Sequence, residues 1–226
     1  MPQAGLRSTV RAVLFDLDGT LIDSAPDLAG AGNEMRLARG LEALPYASFR
    51  PMVGSGARGM VAIALQAGPT DAGYAELRDE FLQRYEARMT RETHVFAHIP
   101  PVLDMLSAVA VPWGIVTNKA TRFAVPLVAA LGLDRGAAAL ICGDTTPHAK
   151  PHPEPLHEAA RRIGVPPAGC VYVGDDLRDV QAGRAAAMAT VIAGWGYLGL
   201  GDAIESWGAD HIVHSPNELL KLLAMA

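Results

Sequence analysis

Short apolar runs without polar alternation recur along the chain, at residues 11–15, 113–117, 139–142, 170–174 and 189–193. A strand wetted on one face alternates apolar and polar side chains. Runs lacking that alternation therefore predict strands buried on both faces. Between them, residues 121–131, 153–163 and 178–188 carry apolar side chains at helical spacing. Strand alternating with helix predicts a parallel sheet covered on both sides by right-handed crossovers. A short strand at 211–213 and a closing helix at 216–225 complete the series, so the expected fold is α/β, a doubly wound parallel sheet.

One stretch breaks the rhythm. Residues 24–95 contain helical patterns at 25–39, 59–66 and 74–91 but no convincing strand, and the next strand of the sheet starts only near Trp113. An ordinary connection between strand and helix takes a few residues. The interval therefore predicts a helical subdomain inserted between the first two sheet strands. Residues 1–23 and 96–226 are expected to form the main domain and residues 24–95 a helical cap.

Composition narrows the function classes. Half of the 226 residues are apolar and 19% are charged, enough to bury a sizeable core and too few charges for a disordered chain. The net charge of −5 gives no global positive field for nucleic acid or an acidic membrane. The first residues lack the apolar core of a signal peptide, and no apolar run approaches the ~20 residues of a membrane-spanning helix. A cytoplasmic protein, monomer or homodimer, is expected. Cys142 and Cys170 each flank an apolar run, which predicts buried thiols at strand ends.

The chemistry is concentrated where strands end. Phe15-Asp16-Leu17-Asp18-Gly19-Thr20 follows the first strand. Open α/β sheets bind ligands at the carboxyl ends of their strands, and Gly19 allows the sharp turn that faces both carboxylates to the crevice. An Asp-Gly turn with solvated acids is the structural alternative, but it leaves unexplained an acid closing a buried strand. Gly114-Ile115-Val116-Thr117-Asn118-Lys119 ends a strand with a hydroxyl and an amide suited to phosphoryl oxygens, though Thr-Asn is also an ordinary strand exit. Lys150-Pro151-His152-Pro153 fixes a cation in a rigid loop, where a lone lysine usually faces solvent. Val173-Gly174-Asp175-Asp176-Leu177-Arg178-Asp179 again runs a strand into acids. Asp175 with Asp16 offers the hard oxygens that magnesium prefers. Asp176 and Asp179 fit either a metal site or the first turn of the following helix.

In this order these four elements resemble the haloacid dehalogenase superfamily, and the resemblance covers nearly the whole chain. It implies a magnesium-dependent phosphatase with Asp16 as nucleophile, Asp18 as general acid and base, Thr117 on the phosphoryl oxygens and Lys150 as charge neutraliser. It also implies metal binding by Asp16, Asp175 and the main-chain carbonyl of Asp18, and phosphate contacts from Gly19, Thr20 and Asn118. Asp18 argues for phosphate esters, because the dehalogenases proper and the phosphonoacetaldehyde hydrolases keep no Asp there. Crowding of Asp18 by neighbouring carboxylates is expected.

Gly54-Ser55-Gly56-Ala57-Arg58-Gly59 matches a dinucleotide-binding glycine pattern, but no strand precedes it. It reads better as a turn of the cap, with Arg58 either facing substrate or structural. The histidines show no zinc-ligand spacing. Trp-Gly-Ile-Val-Thr-Asn-Lys, Lys-Pro-His-Pro-Glu-Pro-Leu and Trp-Gly-Tyr-Leu are similar to segments of bacterial phosphoglycolate phosphatases and of relatives acting on N-acetylmuramic acid 6-phosphate. Gly-Asp-Asp-Leu-Arg-Asp looks more like the second group. The phosphoglycolate group is the leading expectation and the amino-sugar group the alternative. A phosphosugar mutase of the same superfamily and a non-catalytic receiver-like module are the further ones.

Overall fold

The computed structural model describes residues 10–224. The chain enters through β1 (Ala12–Phe15), then makes a two-residue strand, β2 (Ile22–Asp23). Four helices follow: α1 (Ala25–Leu37), α2 (Tyr46–Phe49), α3 (Gly56–Leu65) and α4 (Tyr74–Glu86). The chain returns through β3 (His94–Val95), antiparallel to β2. Next come α5 (Ile99–Ala108), β4 (Trp113–Val116), α6 (Thr121–Ala130), β5 (Ala139–Ile141) and α7 (Glu154–Ile163). The series ends with β6 (Cys170–Gly174), α8 (Leu177–Ala185), β7 (Ala189–Ala193), β8 (His211–Val213) and α9 (Pro216–Ala224).

Six strands pair in parallel in the order β5-β4-β1-β6-β7-β8. The expected α/β sheet is therefore present, with ends moved by a residue or two, and Met225 of the expected closing helix lies outside the described residues. Because both faces are covered, successive residues of β1 enter different cores. Val13 and Phe15 pack with Ile115, Val171, Val173 and Leu127, whereas Ala12 and Leu14 pack with Val116, Tyr172 and Leu156. This is why its sequence shows no polar alternation. Phe15 registers with Ile115 on one side and Val173 on the other. The residues after β1, β4 and β6 consequently leave the sheet at one edge, beside the point where the strand order reverses.

Two features depart from the sequence reading. α5 was not expected, because Pro100 and Pro101 look like a break; both sit in its first turn, where a missing N–H costs nothing. The short ribbon of β2 and β3 also lies where no strand was expected at residues 94–95, since two residues are too few to show a period.

α1–α4 pack on one another through Leu28, Met35, Phe49, Met60, Phe81 and Tyr85, a cluster that also takes in Phe123 of α6 and Tyr197. Tyr85 lies parallel to Phe81, with ring centroids 6.4 Å apart, and tilted against Phe123 at 5.6 Å. The fully buried Asp27 closes the layer: its carboxylate accepts from the Glu92 and Thr93 N–H groups and the Thr93 hydroxyl, and pairs with Arg88. Both cysteines are buried free thiols, and burial pushes Cys170 up to about 11, so it stays protonated. Among the described residues no helix is long and apolar enough to cross a membrane.

Candidate active site

At the sheet edge, Asp16, Asp175 and Asp179 offer carboxylate oxygens that all lie within 4.8 Å of one another, and all three side chains are buried. Such crowding costs free energy unless cations balance it. One cation is built in. Lys150 Nζ stands 2.8 Å from Asp16 Oδ1, 2.8 Å from Asp179 Oδ1, 2.8 Å from the Tyr172 hydroxyl and 3.0 Å from the Val116 carbonyl. Burial disfavours its charge, but the Asp16 and Asp179 carboxylates outweigh that and hold Lys150 at about 12.

One lysine does not balance three acids. Burial raises Asp16 to about 7 against the opposing pull of Lys150, with Asp179 adding repulsion. Asp175 is pushed well above the usual carboxylate range, first by burial and then by Asp16 and Asp179. A buried set of hard oxygens with surplus negative charge is the donor chemistry that magnesium takes, so the residues present fit that ion.

Each acid is held by neighbours the chain supplies locally. Gly19 has a φ of +85°, and a Cβ built there would collide with Asp175 Oδ2. Tyr197 N–H donates to Asp175 Oδ2 at 2.7 Å and Thr20 Oγ1 to its Oδ1 at 3.3 Å. Asp176 caps α8 in a capping box whose other member is Asp179, and it pairs with Arg178 at 2.7 Å. Capping and site membership, alternatives in the sequence, are thus combined in Asp179: Oδ2 accepts from the Asp176 N–H while Oδ1 meets Lys150. Gly19→Ala is expected to lower kcat/KM by about 100-fold by displacing Asp175, with near-normal secondary structure; steady-state kinetics and circular dichroism check this.

Asp18 lies apart from the acid cluster. Its carboxylate accepts from the Ser24 hydroxyl at 2.5 Å and from Lys119 Nζ at 2.9 and 3.1 Å. Its neighbours are a hydroxyl and an ammonium rather than the crowding carboxylates expected, so the side chain of Asp18 is not part of the grouped metal-type ligands. Lys119 itself was not singled out from the sequence. It sits 4.9 Å from the Tyr85 ring centroid, and Asp18 and Tyr85 raise its pKa although burial opposes them.

A cavity of about 390 Å³ opens over these groups and is lined by Asp16, Asp18, Thr117, Lys150 and Asp175, among others. Three expected substrate contacts are placed differently. Thr20 is fully buried and turned to Asp175. Asn118 reaches the cavity, but both ends of its amide are spent on the Lys150 backbone, at 2.9 and 3.0 Å, so it positions that lysine. Arg58 is exposed and is not among the cavity-lining residues, because its place on α3 turns it outward. The loop before it does line the cavity, through Gly54 to Ala57. Arg50 makes the crossing contact instead, donating to the Trp195 and Gly196 carbonyls at 3.1 and 2.9 Å, while Arg178 donates to Gly54. Away from the cavity, His148, His152 and Glu154 form an exposed group in which His148 pairs with Glu154 at 2.7 Å.

Comparison with known proteins agrees with this geometry. Residues 10–187 match the family described as haloacid dehalogenase-like hydrolase. The chain is 48% identical over 211 residues to a phosphoglycolate phosphatase of Xanthomonas campestris pv. campestris, covering 92% of this chain and 94% of that one. It is 41% identical over 217 residues to an N-acetylmuramic acid 6-phosphate phosphatase of Pseudomonas putida, covering 96% and 97%. A crystal structure described as a predicted phosphoglycolate phosphatase from Haemophilus somnus superposes with a TM-score of 0.83 at 26% identity, covering 96% and 99%.

Proposed function

The chain belongs to the haloacid dehalogenase-like hydrolase family, and within it we propose a magnesium-dependent phosphomonoesterase that hydrolyses a small phosphorylated metabolite through an aspartyl-phosphate. The observation that carries this reading is the convergence of Asp16, Asp175, Asp179 and Lys150 on one cavity at the sheet edge.

Phosphoryl transfer depends on in-line positioning and on neutralising charge that spreads over the phosphoryl oxygens. In the proposed reaction an Asp16 oxygen attacks phosphorus, the bond from phosphorus to the ester oxygen breaks, and the phosphoryl group is left on Asp16. Asp18, oriented by Ser24 and Lys119, gives its proton to the departing alkoxide. It then takes one from the water that attacks the phosphorus of the aspartyl-phosphate, releasing inorganic phosphate. Lys150 neutralises charge beside Asp16, and Thr117, buried at the end of β4, offers its hydroxyl to the phosphoryl oxygens. Asp16, Asp175 and the Asp18 carbonyl would hold magnesium, which when bound would supply positive charge that offsets repulsion between carboxylate and substrate dianion. Residues 24–95 act as the cap over the cavity: Val53, Phe81 and Tyr85 wall it from above the sheet edge.

The test is inorganic phosphate release over a panel holding 2-phosphoglycolate, N-acetylmuramic acid 6-phosphate and common sugar phosphates, with magnesium and with EDTA. Magnesium-dependent release from at least one ester is the expected result. Isomerised sugar phosphate without released phosphate would instead identify a mutase, and no turnover of any ester would identify a non-catalytic module.

A further inference from the structure

Four cationic side chains line the cavity: Lys119, Arg122, Lys150 and Arg178. Three are committed to carboxylates. Lys119 lies 2.9 Å from Asp18, Lys150 2.8 Å from Asp16 and Arg178 2.7 Å from Asp176. Arg122, in the first turn of α6, is exposed and has no ion pair among the described residues. Its guanidinium stacks 4.3 Å from the Phe123 ring centroid, which holds the charge at the cavity wall. The helical layer adds no cation of its own to the lining.

Tyr85, 2% exposed, belongs to the same lining, with the Lys119 ammonium over its ring at 4.9 Å and turned to the two Asp18 oxygens at 2.9 and 3.1 Å. Around them the wall is apolar, formed by Leu28, Val53, Phe81 and Leu82. A volume of about 390 Å³ falls in the range that holds drug-sized ligands, and a two-carbon phosphate would leave most of it open.

We propose that Arg122, the uncommitted cation of this lining, forms an anion subsite that takes a carboxylate carried on the body of the substrate. The substrate class is then a sugar-sized phosphomonoester bearing a carboxylate, and Arg122 is the residue that selects it. This rests on the phosphomonoesterase reading above and narrows it.

The test compares N-acetylmuramic acid 6-phosphate with N-acetylglucosamine 6-phosphate, which lacks only the lactyl ether and its carboxylate. The wild type should favour the first in kcat/KM by about tenfold or more, the worth of a charged hydrogen bond. Arg122→Ala should raise KM for that ester by a similar factor with kcat changed by less than about threefold, so that the preference collapses toward one. Arg122→Lys should restore part of it. Equal turnover of the two esters by the wild type, or a preference that survives Arg122→Ala, would overturn the proposal. Calorimetric binding in the Asp16→Asn background separates the two readings. There, carboxylate-dependent binding lost on Arg122→Ala supports the subsite even if nothing is hydrolysed, whereas hydrolysis without such binding overturns the subsite alone.

Discussion

Asp16→Asn is expected to abolish turnover, by at least about 10⁴-fold, while the protein stays folded. The scale is that of removing a nucleophile that acts as one unit with its partners. The amide is isosteric with the carboxylate and cannot form the acyl phosphate. It can still accept from Lys150, which lies 2.8 Å from Asp16 Oδ1. Removing one acid from three whose oxygens lie within 4.8 Å of each other also relieves repulsion, so the variant should not melt below the wild type in metal-free buffer. Phosphate release and thermal unfolding, measured side by side, check both halves. Activity within tenfold of the wild type would exclude Asp16 as the attacking group.

Lys150→Ala carries the second large effect, and here stability falls along with activity. Its side chain is 3% exposed and pairs with Asp16 and Asp179. Removing one member of a buried ion-pair group leaves the others uncompensated, which costs about 3–5 kcal/mol. For a chain of this size that is a drop of the order of 10 °C in Tm. The loss of kcat should be about 100-fold or more, as a charge next to the developing phosphoryl charge disappears. Lys150→Ala combined with Asp179→Asn should regain part of the melting temperature, because one orphaned acid is neutralised, but none of the rate. Recovery of rate in the double variant would mean that Lys150 serves structure alone.

How much of this was legible in the chain depends on how local each signal is. The strands were readable because burial on both faces stamps a continuous apolar run, such as Ala12-Val13-Leu14-Phe15. Asp16, Lys150 and Asp175 were readable because each closes a strand or sits in a rigid loop, and the parallel topology then fixes where such residues meet. α5 was hidden by its opening prolines, which break a helix only in its interior. Arg58 shows what a motif leaves open: charges on a helix face the cavity or the solvent according to helix phase and packing, and on α3 this one is exposed. Lys119, Arg122 and Tyr85 escaped notice for the converse reason. Asp18 is brought to Lys119 only by tertiary packing, Phe81 meets Tyr85 through a turn of α4, and no spacing in the sequence announces that Arg122 will be the cation left unpaired. The roles of Thr20 and Asn118 likewise turned on hydrogen bonds to Asp175 and to the Lys150 backbone.

The central claim is that the phosphoryl group is carried by Asp16 beside a cation shared with Asp175. A crystal structure of the protein grown with magnesium and beryllofluoride, a mimic of the transferred phosphoryl group, tests it most directly. The account predicts beryllium bonded to an Asp16 carboxylate oxygen, and magnesium at about 2.0–2.1 Å from oxygens of both Asp16 and Asp175. Beryllofluoride attached elsewhere, or an ion that touches only one of the two aspartates, would contradict it.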